Sequence, residues 1–142
     1  MAFGLGGAGR YVAGETVPAL PLEVTLARNP SFSASIGGVL SNRFAHVYGE
    51  FGYYFIVSAA AGVGYAAYRS NQGVQAGKVV HLFVGFPVPL RSPFDFIDAD
   101  WAQYLVLYYR PAWGPWPGAA HEGGIMLKFS YAILKGVSKF GG

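Results

Sequence analysis

The stretch Phe51–Tyr68, FGYYFIVSAAAGVGYAAY, runs for 18 residues without a charge and is closed by Arg69. As a helix rising about 1.5 Å per residue it reaches roughly 27 Å, close to the hydrocarbon thickness of a bilayer. No other stretch of the chain is as long and as apolar, so its reading decides the fold. Within it Ser58, Gly62 and Ala66 recur every four residues, and Ala60 with Gly64 repeats the spacing on a neighbouring face. Small residues so placed let a second helix approach closely. Tyr53 and Tyr54 lie near one end and Tyr65 and Tyr68 near the other, the positions of an interfacial aromatic belt. Asn42 is an acceptable cap, and Phe44, Val47, Phe51, Tyr54 and Phe55 follow at helical spacing. The spacing therefore predicts a helix over 42–69 that contains a membrane span. Its five alanines and three glycines suit packing inside a larger complex better than a lone anchor.

A strand reading competes over part of the same region. From Ala45 to Val57 the odd positions are mostly apolar, while the even ones include His46, Tyr48, Glu50 and Gly52. That is the apolar-out, mixed-in alternation of an outer-membrane barrel strand. HLFVGFPVPL and YLVLYY are also short enough for strands. Against this, no turn signal interrupts Phe51–Tyr68, and 18 residues are about twice a barrel-spanning strand. The expected fold is mainly α with extensive irregular segments, one transmembrane helix and an amphipathic C-terminal helix. A transmembrane β-barrel is the alternative.

Composition points to a membrane as well. Charged residues make up 12% of the 142, about half the usual share, and aromatic residues 17%. So few charges leave little with which to cover a water-exposed surface. The net charge of +3 is scattered, with no basic stripe, which excludes nucleic acid as a partner. With no cysteine, disulfides and thiolate metal sites are excluded.

Outside the central run, residues 1–41 read as a Gly/Pro-rich extended arm. Gly4, Gly6 and Gly9 match GxGxxG without a preceding strand, and MAFGLGGAGR lacks the pattern of a signal peptide. Residues 70–142 read as a peripheral region. Asp95, Asp98 and Asp100 precede WAQYLVLYYR, where Asp100 and Gln103 stand at capping-box spacing for a short helix. Trp101, Trp113 and Trp116 join the tyrosines as interfacial or partner-contact residues. In GIMLKFSYAILKGVSKF, Lys128, Lys135 and Lys139 at spacings of seven and four share one helical face, which predicts a basic amphipathic helix.

No catalytic set emerges. Ser58 has no ionisable neighbour in sequence, and His46, His81 and His121 lack metal-ligand spacing, so no catalytic residue, metal or cofactor is assigned. His46 and Glu50, four apart, read as a polar contact on one helical face, and adjacent His121 and Glu122 as sharing no face. The expected function is a non-catalytic structural or accessory subunit of a multi-subunit membrane complex, with a bioenergetic complex of an inner or energy-transducing membrane as host. Its expected partners are neighbouring subunits and lipid, with room for a structural lipid. The alternatives are a small outer-membrane β-barrel of porin-like or lipid-modifying type, and a soluble enzyme or ligand-binding domain.

Overall fold

A computed structural model describes residues 2–28, 32–54, 57–89 and 101–131, and every regular element among them is a β-strand. The strands are β1 (Ala2–Val12), β2 (Glu15–Arg28), β3 (Phe32–Leu40), β4 (Phe44–Tyr54), β5 (Ser58–Ser70), β6 (Gly73–Pro89), β7 (Trp101–Trp113) and β8 (Ala119–Tyr131). Each pairs antiparallel with its neighbour in sequence, and β8 pairs with β1, closing the barrel.

The register fixes the barrel's shape. Stepping through paired residues from Ala2 to Thr25, Ser35, Glu50, Gly62, His81, Ala112 and Ala120 leads back to β1. One step beyond the Tyr11↔His121 pair, the path arrives at Val12, ten residues along from its start. For eight strands that stagger corresponds to a tilt of about 40° from the barrel axis.

The helical expectation is overturned, and the central run shows why. Tyr54 pairs with Ser58, so the chain reverses inside the stretch read as one span, at a point that carries no Gly, Pro, Asn or Asp. What looked like 18 residues of helix is the end of β4, a reversal and most of β5. No helix among the described residues is long and apolar enough to cross a membrane, which removes both the transmembrane helix and the argument for an inner-membrane helical subunit. The arm expected over 1–41 is β1, β2 and β3, and the short helix after Asp100 is β7. Of the predicted C-terminal helix, Gly124–Tyr131 belongs to β8, and Lys135 and Lys139 lie outside the described residues.

The strands alternate between inward and outward side chains, with a register shift between Thr25 and Ala27 of β2, and their polarity is opposite to that of a water-soluble protein. Phe3, Leu22, Ile36, Val47, Val63, Leu82, Leu107 and Ile125 all point outward and are exposed. Arg10, Glu23, Glu50, Arg110, Glu122 and Lys128 all point inward and are buried. Among the side chains described, Arg69 and Lys78 are cations that point outward, both towards the end formed by the turns at 13–14, 41–43, 71–72 and 114–118. The hairpin between β1 and β2 needs positive φ at both central residues, and Ala13 (50°) and Gly14 (87°) supply it. At the same end Trp116 folds back into the barrel mouth, only 4% exposed, and packs with Val12, Phe44, Tyr68 and Val79 as an apolar plug.

Candidate functional site

The lumen holds three cations and three carboxylates among the described residues, arranged so that each charge has a partner. Arg110 is the hub. Its Nη1 donates to Glu122 at 3.1 Å and its Nη2 to the Tyr48 hydroxyl at 2.8 Å. Nη2 also lies 3.7 Å from Glu50 and 3.8 Å from Glu23, so one guanidinium faces all three carboxylates. Arg10 Nη1 reaches the second oxygen of Glu122 at 3.5 Å, and Lys128 is bonded to Glu23. Aromatic faces complete the shell, with Arg10 over Phe44 (4.2 Å) and Trp116 (4.8 Å) and Arg110 over Tyr48 (4.5 Å). A charge taken out of water costs several kcal/mol unless it is paired and hydrogen-bonded; every charge here is paired, while Arg10 Nε and Nη2 and Arg110 Nε make no hydrogen bond.

Two devices in the sequence make these contacts. The first is direct opposition, in which Glu122 on β8 has Arg110 of β7 and Arg10 of β1 as its register partners on either side. The second is pairing over a glycine. Gly62 of β5 is the register partner of both Glu50 and His81, and those side chains meet above it at 2.9 Å. Gly4 lies in the same way between Glu23 and Lys128, and Gly37 between Glu23 and Tyr48, whose hydroxyl donates to Glu23 at 3.5 Å. A Cβ at Gly37 would meet the Tyr48 ring, and one at Gly4 would come within 3.3 Å of Lys128 Cγ. Glycine is required at these places because a side chain would occupy the space the bond crosses.

The residues expected to pack helices have a different role. Ser58, Ala60, Gly62, Gly64 and Ala66 all face the lumen from β5. A spacing of four is close to a helical turn, but it is also two strand repeats, so the same residues make a face of small side chains opposite the large ones. Tyr53, Tyr65 and Trp113 are on the outer surface. Tyr68 and Trp116 are inside, in the apolar plug, and the backbones of Tyr54 and Trp101 belong to β4 and β7. Lys128 is buried in the lumen with Glu23 and does not form a basic outer face.

His46 and Glu50 both face the lumen, but Glu50 bonds His81, while His46 is buried against the rings of Tyr48 and His81. Glu122 points inward; His121, its neighbour, points outward and is bonded to the Tyr109 hydroxyl at 2.6 Å. Asp95, Asp98 and Asp100 lie outside the described residues. Among the described residues no three His, Cys, Asp or Glu side chains come together as a metal site.

Sequence reasoning missed Arg10, Glu23, Tyr48, Tyr108, Arg110 and Glu122 as a set. The available signal was a single charge at an inward position of an alternating apolar segment, as in LEVTL around Glu23 or LYYRPAW around Arg110. Chemically the network neutralises its own charge and fills the lumen, with Tyr108 donating a further bond of 2.9 Å to Glu122. Below it Phe83, Val106 and Met126 form a second apolar cluster. No protein-family model matches this chain, nor does any curated protein.

Proposed function

We propose that the chain is a membrane-spanning β-barrel of an outer membrane, with a sealed interior and not an open pore. The observation that carries the reading is the reversed polarity of the barrel, with apolar side chains outside and paired charges within. Only closed barrels and helices can cross a bilayer with every backbone group satisfied, and an apolar outer band with a polar interior is the pattern of the barrel solution. The outward positions of Tyr11, Tyr65 and Trp113 near one end and Phe32, Phe51 and Tyr53 near the other fit two aromatic girdles. The plug around Trp116 and the charge network support a closed lumen. The reading assigns no reaction and no bound cofactor.

The test is refolding of the full chain from denaturant into phospholipid vesicles. Expected are a β-type circular dichroism spectrum, a gel mobility that changes on boiling, and no ion flux above that of protein-free vesicles. A folded, detergent-free monomer in water sinks the membrane reading, and steady open-channel conductance sinks the sealed lumen.

A further inference from the structure

At the turn end, the outer surface of β4, β5 and β6 carries a cavity of about 210 Å³ that the lumen network does not use. Arg43 and Arg69 line it together with Ser41, Asn42, Ala45 and Ala67. Arg43, in the turn before β4, is tied to Arg69 of β5, whose N–H donates to the Arg43 carbonyl at 2.7 Å. Glu15 engages Nη2 of Arg43 at 3.3 Å, and the guanidinium has five N–H donors in all. Lys78 points outward on the next strand, opposite Tyr65, so among the described residues this end carries Arg43, Arg69 and Lys78 near Glu15, which pairs with Arg43.

The wall of the cavity facing the middle of the barrel is apolar and low. Ala45 and Ala67 are register partners there, and the next outward residues on the same strands are Val47 and Tyr65. These two flank a trough of about 450 Å³ that runs on over Gly49 and Gly64 to Ile36. The basic recess and the apolar trough are neighbouring hollows, the first bounded by Ala45 and Ala67 and the second starting at Val47 and Tyr65.

We propose that this surface binds one anionic membrane lipid, its phosphate between Arg43 and Arg69 and an acyl chain over Ala45 and Ala67 into the trough. The inference rests on the membrane-spanning reading, which places this rim at headgroup level. Charge complementarity selects an anion, and planar guanidinium groups match phosphate geometry. The apolar floor selects a phosphate that carries a chain, because free phosphate gains nothing from Ala45, Ala67 and the trough.

The experiment uses the full chain, inserted and shown to be gel-shifted, in micelles containing equal phosphatidylglycerol and phosphatidylcholine, followed by native mass spectrometry. The wild type is expected to retain one phosphatidylglycerol in preference to phosphatidylcholine. Arg43→Gln with Arg69→Gln is expected to weaken that retention about thirtyfold, and the paired Lys substitutions to keep most of it. Equal retention of both lipids, or an unchanged preference in the Gln variant, overturns the proposal. Release of the lipid by inorganic phosphate at comparable concentration also overturns it, since the site would then be one for free anions. Failure of the wild type to insert refutes the membrane reading and the site with it. Insertion without lipid preference refutes the site alone.

Discussion

Glu50 on β4 and His81 on β6 bond at 2.9 Å across the top of Gly62, the residue of β5 that faces both in register. A Cβ at Gly62 would run into the His81 ring and lie 2.8 Å from the Gly49 carbonyl oxygen. Gly62→Ala is therefore expected to push the imidazole off Glu50 and cost about 1–3 kcal/mol, the usual effect of overpacking. Gly49→Ala, where an added Cβ meets nothing within 4 Å, serves as the control and is expected to change stability little. Urea unfolding from vesicles measures both, and equal stability of the two variants would remove the role assigned to Gly62.

Glu122 of β8 bridges the strands on either side of it. Its carboxylate stands between Arg10 of the first strand and Arg110 of the seventh, at 3.5 and 3.1 Å. Glu122→Gln keeps the shape and leaves two buried guanidinium groups without their shared counter-charge. The expected loss is about 3–5 kcal/mol, as for other broken buried pairs. The readout is the urea midpoint of the gel-shifted form, and a loss below 1 kcal/mol would show that Glu23 and Glu50 suffice for Arg110.

The outer surface makes a depth-dependent prediction. Val63, 65% exposed in the middle of β5, faces the bilayer core if the barrel spans it, whereas Val74 lines the cavity at the turn-end rim, opposite Arg69. Val63→Arg is expected to destabilise the vesicle-inserted barrel by about 2–4 kcal/mol and Val74→Arg by at most about 1 kcal/mol. Equal effects at both positions in a vesicle titration would argue that no membrane surrounds Val63.

Some of this architecture is legible in the sequence. The alternation from Ala45 to Val57 does place His46, Tyr48, Glu50 and Gly52 on one buried face, as the barrel alternative required. The composition, poor in charge and rich in aromatics, fits a lipid-facing exterior. What misled was local. The reversal between Tyr54 and Ser58 has none of the residues that favour turns, so two strands read as one apolar run. The small residues of β5 satisfied the helical and strand periods at once. Pairing over Gly4, Gly37 and Gly62 depends on strand register, which neither composition nor spacing along one segment specifies. Charges such as Glu23 and Lys128, 105 positions apart, become partners only when the first and last strands meet beside β2.

That long-range pair gives the last test. Glu23 accepts from Lys128, from Tyr48 at 3.5 Å and from Thr25 at 3.5 Å, in a part of the lumen where both charges are almost fully buried. Lys128→Met alone removes the cation bonded to Glu23, leaving Arg110 at 3.8 Å as its remaining counter-charge, and is expected to cost about 3–5 kcal/mol. Adding Glu23→Gln removes the stranded charge while leaving an amide that still accepts from Tyr48 and Thr25. The double variant is therefore expected to recover more than half of the loss, because an ion pair replaced on both sides is often near neutral where one broken on one side is not. A double-mutant cycle of urea unfolding measures the coupling. Additive losses would show that Lys128 and Glu23 act independently, and the pairing over Gly4 would then have no energetic meaning.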